Sequence, residues 1–413
     1  MDTCSRTAAM HLIGGRFHHS TRGIFHGIQH KLGRTFDARC LTQADRFATC
    51  HLAGWSGCKV TEIFLWLLAL VAAVWAIGAF YLQGADLSAF DQPAGQRYLI
   101  DAAPSEAHQA VVASLGDIAK LLKSTPRSQH LALLRNYMDN LFTDSDPTTQ
   151  VIAVNASGVP AEWVLAAGVD HRRRLLYIHG GAYTMGSPKS HRRLTRKFSE
   201  VANAAVLVID YRLMPEHPRM AGIEDCRTAY RWLLDHGPAG PEAASAIFVA
   251  GDSAGGNLTL SLIAWVRDQG LRVPNAAVAL SPATDATLGS PSLKNNLGTD
   301  PMLGPLFKPL TRIPRTVLLW ATWQQNRLRP SDPVLSPVFG DLSGLPPLLV
   351  HASESEMLFD DSRRYVNKAI AAGSPVTFQT WRHMVHVWHI YHPDLPEGRE
   401  AFEEIGKFLQ AHS

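Results

Sequence analysis

From Arg174 onward, short apolar runs alternate with helix-like stretches, and this rhythm constrains the fold more than any other feature of the chain. The runs are Leu175–Ile178, Ala205–Ile209, Ala246–Ala250, Ala276–Leu280, Leu348–His351 and Val376–Thr380. Between them lie helical stretches such as Ser190–Ala202, Gly222–Leu234, Gly256–Gln269 and Phe359–Ala372. Buried strands that alternate with helices imply a mostly parallel central sheet with helices on both faces, an α/β fold. Asp285–Arg329 breaks the rhythm with many Pro, Gly and Asn and is expected to leave the sheet and build part of a lid. Upstream, residues 84–150 carry helical periods over Ala107–Leu122 and His130–Leu141 and are expected to form a cap. A first strand pair is expected near Gln150–Val154 and Glu162–Leu165.

The 413 residues, 46% hydrophobic and 18% charged, suffice for one large α/β domain from about residue 84 to the end. A formal net charge of +3 with no concentrated basic face argues against a nucleic-acid partner. The runs Arg172–Arg174 and Arg192–Arg193 read as solvated surface. Of the five cysteines, Cys4, Cys40, Cys50 and Cys58 fall in the first sixty residues, and Cys226 stands alone in the body. A body with one cysteine has no internal disulfide, and the chain has no C-x-x-C pair, so no metal site is expected.

Ile63–Leu82 is uncharged and apolar throughout. About twenty such residues at 1.5 Å rise span a bilayer core, and a buried helix of that length would show a polar stripe. Residues 61–83 are therefore expected to be a single membrane anchor, with Tyr81 as an interfacial residue. The rival is a signal sequence with Ala76-Ile77-Gly78-Ala79 as a small-residue cleavage site. Residues 1–60 show no clear apolar period and are expected to be poorly structured. Lys31, Arg34, Arg39, Arg46 and Lys59 precede the apolar stretch, and Asp86 and Asp91 follow it. The positive-inside tendency then puts the folded domain on the non-cytoplasmic side.

Two glycine motifs follow strands. Gly251-Asp252-Ser253-Ala254-Gly255 fits G-x-S-x-G between an expected strand and an expected helix, the context of a nucleophile elbow. The sharp turn lifts the serine hydroxyl above the sheet edge and requires small neighbours two residues to either side. His179-Gly180-Gly181-Ala182-Tyr183 follows another strand. A glycine loop there offers backbone N–H groups to a developing oxyanion, worth roughly 3–4 kcal/mol per donor. Gly181 and Ala182, with Gly180 in the same loop and Ala254 after the serine, are the candidate donors. His179 is expected to orient the loop.

An acid and a histidine should follow the serine in that order. Glu354, Glu356, Asp360 and Asp361 follow the Leu348–His351 strand, and His383, His386 and His389 follow the last strand. Position alone leaves the choice among them open, although Asp360 and Asp361 suit the start of the next helix.

The chain resembles the hormone-sensitive-lipase-like esterases, a group of α/β-hydrolases with an H-G-G-[GA] loop and a G-D-S-A-G-G elbow. The resemblance covers roughly Asn155–Leu409. It rests on His179–Gly186 (HGGAYTMG), Asp210–Pro218 (DYRLMPEHP), Gly251–Leu258 (GDSAGGNL), Leu280–Asp285 (LSPATD), Ser336-Pro337, Leu358–Ser362 (LFDDS) and Trp381–Trp388. It implies Ser253 as nucleophile, Glu356 as acid and His386 as base, with no metal or organic cofactor. It also implies structural roles for Asp252, Tyr211, Arg212, Pro215, Glu216 and His217. The implied activity is hydrolysis of short acyl esters or lactones through an acyl-enzyme. Two departures stand out: Ala182 replaces a third glycine, and His383 sits three residues before His386. An anchor is unusual for the bacterial branch. A ligand-binding module on a hydrolase scaffold, or an amidase or deacetylase, would use the same fold; loss of the histidine would mark the former.

Overall fold

The computed structural model describes residues 55–93, 97–100, 102–142 and 147–413. The expectation of a poorly structured segment at 1–60 lies almost wholly outside the described residues. The chain divides into one unit ending at Val71 and a second from Ala72 to Ser413. Helix α1, Trp55–Ala76, continues as wider π-turns over Ile77–Leu82. Among the described residues, Thr61–Leu82 is the one helix long and apolar enough to cross a membrane.

The second unit is built on a nine-stranded sheet. Its strands are β1 (Arg97–Ile100), β2 (Gln150–Ala156), β3 (Val159–Leu165), β4 (Arg173–Ile178), β5 (Ala205–Ile209), β6 (Ala246–Asp252), β7 (Ala276–Leu280), β8 (Leu348–Ser353) and β9 (Val376–Trp381). They stand in the order β1-β9-β8-β7-β6-β4-β5-β3-β2. Every neighbouring pair from β1 to β5 is parallel, and β3 pairs antiparallel with β5 and with β2. Each expected strand is present, most a residue or two longer than the apolar run alone suggests.

Helices cover both faces, which is why the central strands carry apolar side chains on both sides. On one face Leu176, Ile178, Leu207 and Val249 pack against α5 (Arg219–Asp235), α6 (Ser253–Asp268) and α8 (Phe359–Ala371). On the other, Leu175, Tyr177, Val206 and Phe248 pack against α4 (Pro188–Ala202) and α9 (Pro396–Ala411) through Leu194, Phe198, Phe402 and Ile405. Each buried aliphatic or aromatic side chain contributes about 1.5–3 kcal/mol, so the two layers hold the sheet between them, and its parallel strands bring their C-terminal ends to one rim.

The stretch expected to be a helical cap differs from expectation. It supplies α2 (Glu106–Ser124) and α3 (His130–Asp139), but it also contains β1, which pairs along β9. Four residues carry too little pattern to be read as a strand; pairing with an open sheet edge decides their state. The Pro- and Gly-rich stretch does leave the sheet between β7 and β8. It forms short turns at Ser292–Asn295 and Gly304–Phe307 and then α7 (Arg315–Asn326).

Candidate active site

Ser253 sits at the junction of β6 and α6 with φ 52°, in the left-handed region that a serine enters only when held there. The glycines around it are required by space: a Cβ on Gly255 would run into the Ile178 carbonyl, and one on Gly251 would approach the Gly255 carbonyl oxygen to 2.5 Å. The strained turn leaves the Ser253 hydroxyl pointing over the rim. There it donates to His386 Nε2 at 2.8 Å. His386 Nδ1 in turn donates to Glu356 Oε2 at 2.6 Å, and Glu356 Oε1 accepts the Ser353 N–H at 2.8 Å. Glu356 is fully buried and His386 is 3% exposed. Burial pushes the His386 imidazole down, but the hydrogen bond and charge of Glu356, helped by Asp300 and Asp252, outweigh it and hold the ring above its ordinary 6.5.

The other candidates separate from this line. Glu354 turns toward Arg382 (3.6 Å), and His383 is exposed. His389 is buried beneath the rim with its Nε2 3.0 Å from His351 Nδ1, and His351 continues to Gln379 Oε1 at 2.7 Å. Burial keeps both rings below the ordinary histidine range. Asp360 and Asp361 lie in the first turn of α8, yet they serve a loop more than the helix. Asp361 Oδ2 accepts the N–H groups of Thr284 and Asp285 at 2.8 and 2.9 Å, and Asp360 Oδ2 accepts the N–H of Ser292 at 2.8 Å. Burial, then the charge of Asp285, pushes the Asp361 carboxyl up to about 8.

The loop after β4 has three consecutive residues at positive φ: Gly181 (116°), Ala182 (53°) and Tyr183 (62°). The Gly181 carbonyl accepts the N–H groups of Thr184 and Met185, which closes the turn. The N–H groups of Gly181 and Ala182 make no hydrogen bond among the described residues. Gly180 departs from the expectation that it supplies a donor, because its N–H is taken by Asp252 Oδ1 at 3.0 Å. The same Oδ1 accepts the Tyr177 hydroxyl at 2.7 Å and lies 3.4 Å from His191 Nε2. Burial alone would raise the Asp252 carboxyl, but His191 and Tyr177 hold it below its ordinary value. His179 is buried, stacks on Tyr211 at 4.4 Å and donates through Nδ1 to the Gly180 carbonyl at 2.8 Å. Burial and His191 keep it neutral, with its pKa down at about 3. This is the loop-orienting part expected of His179.

Several supporting residues were not singled out in the sequence. Arg219 lies 3.8 Å over the Tyr183 ring and donates to Asn257 Oδ1 and the Leu335 carbonyl. Arg135 of α3 donates to the Thr184 carbonyl and, with both terminal nitrogens, to Glu216, which ties the cap to the glycine loop. Asn296 donates to the carbonyls of Glu354 and Glu356. These partners are tens of residues apart in the chain, and no local pattern announces them. Over Ser253 and His386 lies a cavity of about 250 Å³ walled by α2, α3 and residues 301–307, almost entirely with carbon: Leu115, Ile118, Met138, Met302 and Phe307 among others. Among the described residues no cluster of His, Cys, Asp and Glu is arranged to hold a metal.

A family model described as the alpha/beta hydrolase fold matches residues 175–390. An acetyl-hydrolase of Streptomyces hygroscopicus is 43% identical over 251 residues, 60% of this chain and 79% of that protein. An esterase of Acinetobacter venetianus is 32% identical over 70% of this chain and 93% of its own length. The carboxylesterase/phospholipase LipF of Mycobacterium tuberculosis is 34% identical over 62% and 68%. Among solved structures, an esterase from the bacterial hormone-sensitive lipase family aligns with a TM-score of 0.65 at 34% identity, over 75% of this chain and 99% of that one. EstE5 soaked with p-nitrophenyl butyrate aligns with 0.64 at 37%, over the same shares. With its doubly covered sheet, its elbow and its glycine loop, the chain belongs to the hormone-sensitive-lipase-like family of the α/β-hydrolase fold and is a carboxylesterase-type hydrolase.

Proposed function

We propose that Ser253, His386 and Glu356 form the catalytic triad and that the substrate is a small-molecule ester with a short acyl group. The observation that carries this reading is the unbroken line from Glu356 through His386 to the Ser253 hydroxyl, at 2.6 and 2.8 Å, beside two unengaged backbone donors. His386 Nε2 takes the hydroxyl proton as Oγ attacks the ester carbonyl, and the oxyanion forms against the N–H groups of Gly181, Ala182 and Ala254. His386 then gives the proton to the leaving alcohol. Water repeats the cycle on the acyl-enzyme, and Glu356 balances the imidazolium in both halves. The short acyl preference is supported by the relatives named acetyl-hydrolase. Thr61–Leu82 serves as a membrane anchor with the hydrolase on the non-cytoplasmic side, a reading supported by its length, by the uncharged run Ile63–Leu82 and by the basic residues that precede it.

The test is hydrolysis of p-nitrophenyl acetate, butyrate and octanoate by the full chain and by Ser253→Ala. The full chain is expected to favour the shorter esters. Ser253→Ala is expected to lose about 10⁴ to 10⁶ in kcat with an unchanged melting profile. A folded Ser253→Ala protein with more than a few per cent of the activity would overturn the assignment.

A further inference from the structure

One apolar strip on the surface is continuous with both the cavity and the proposed anchor. It begins at Leu306, which lines the cavity and is nevertheless 48% exposed. It continues through Leu310 (37%), Ile313 (39%) and Val317 (54%) into the first turn of α7. Soluble surfaces carry single exposed aliphatics freely, but four in twelve residues, leading away from an apolar pocket, form a patch. Lys308 and Arg312, both exposed, lie between them. On the other side of the cavity, α2 adds exposed Leu121, next to the cavity-lining Leu122 and the exposed Lys123.

The far end of the strip meets the end of the apolar helix. The π-turns over Ile77–Leu82 interrupt the helix's regular ladder, and the Val74 carbonyl accepts the Trp320 indole N–H at 3.0 Å. Gly78 allows the approach: a Cβ there would lie 3.3 Å from Trp320 Nε1 and 3.4 Å from Thr316 Cβ. Trp75, Phe80 and Tyr81 are exposed around this contact, Trp323 packs edge-on against Trp320, and Arg329 sits over the Tyr81 ring at 5.0 Å. Aromatic rings with basic neighbours are the composition of a membrane–water interface. α7 is thus fastened to the last turns of the helix, and Val317 lies one turn before Trp320 on α7.

We propose that Leu306, Leu310, Ile313 and Val317 rest in the lipid surface and that the cavity opens onto it, so that the enzyme draws esters bearing a long hydrocarbon chain directly from the bilayer. This rests on the anchor and the esterase reading above. The alkyl chain would pass from the lipid along Leu306 into the carbon-lined cavity without crossing water. Lys308, Arg312 and Lys123 would meet anionic headgroups.

The experiment uses the full chain in vesicles of phosphatidylcholine with one-fifth phosphatidylglycerol. It compares the wild type with Leu310→Asp/Ile313→Asp/Val317→Asp on two substrates, p-nitrophenyl acetate in water and oleyl acetate dissolved in the bilayer. Wild type that floats with the vesicles after a carbonate wash establishes the anchor. Wild type that cleaves p-nitrophenyl acetate establishes the esterase. Failure of either removes the ground on which the proposal stands and is visible before any variant is compared. With both in place, the triple variant is expected to keep p-nitrophenyl acetate hydrolysis within about twofold and to lose oleyl acetate hydrolysis tenfold or more. Equal activity on oleyl acetate overturns the proposal. If the triple variant loses both activities, the same ratio is read in Leu310→Ser/Ile313→Ser/Val317→Ser, and parallel loss of both activities there also overturns it.

Discussion

Replacing Glu356 by glutamine tests the catalytic line at its most buried point. The carboxylate there makes two bonds, both as an acceptor: Oε1 from the Ser353 N–H and Oε2 from His386 Nδ1. A glutamine offers one acceptor and one donor in the same volume. If its oxygen serves Ser353, its NH₂ faces Nδ1 and favours the tautomer with the proton on Nε2. That imidazole cannot accept the Ser253 proton, and wrong-tautomer substitutions of this kind lower kcat by about 10⁴. If its oxygen serves His386, two N–H groups face each other in a buried site at a cost of about 1–3 kcal/mol. Between these limits kcat is expected to fall about 10²- to 10⁴-fold with KM little changed. The acid limb of the pH profile should move as well. If His386 is the base it must be neutral to accept a proton, so wild-type kcat/KM is expected to fall as pH drops through a pKa held above 6.5, against burial, mainly by Glu356. Without that charge the imidazolium is less favoured, and the limb should shift to lower pH. Initial rates on p-nitrophenyl acetate from pH 5 to 9 read both effects, with Glu354→Gln as the control that keeps most of its activity. A Glu356→Gln enzyme within tenfold of wild-type kcat, or with an unmoved acid limb, would refute the reasoning.

His383→Ala should leave both activity and melting temperature near wild type, since the side chain is exposed; an inactive, folded His383→Ala protein would place the base three residues earlier. His389→Ala should keep most of kcat but lose roughly 2–4 kcal/mol of stability in urea melts, because it opens a cavity and strands the buried His351 Nδ1; unchanged stability would contradict this. For Asp361, the folded pKa of about 8 exceeds the ordinary 3.8, so the native state holds a proton the unfolded chain has released. Stability from this group is present at low pH and declines as pH rises between those values. Asp361→Asn can keep the bonds from the Thr284 and Asp285 N–H groups and donate its NH₂ to Ser290 Oγ, and it should flatten that decline in calorimetric melts from pH 5 to 8; a slope equal to wild type would argue against it.

The sheet was legible because its strands are self-announcing: Ala205–Ile209 and Ala276–Leu280 are buried at every position, and their limits match the expected ones. The elbow was legible because its glycines answer to local space. What was not legible depends on partners remote in sequence. Pairing with β9, not side-chain pattern, makes β1 a strand. Gly180 fits the motif of a donor, but its N–H is engaged by Asp252, seventy-two residues on. Asp361 has the position of a helix-dipole partner, and only the folded chain brings Thr284 and Asp285 onto it. Choosing Glu356 over Glu354 needed the family pattern, because two carboxylates two residues apart in a loop look alike until one turns inward.

Asp252 also sets how the site tolerates error. It fastens the end of β4, through Gly180 and Tyr177, to the residue immediately before Ser253 on the neighbouring strand β6. Ser253 and the glycine loop thus share a single datum, a few bonds from each. Glu356 and His386 arrive from loops after separate strands, β8 and β9. A distortion that tilts β4 and β6 together carries serine and loop as one body, while the misfit falls on the hydrogen bond between Ser253 and His386. The arrangement keeps its shortest dimensional chain for the distance that admits the least slack.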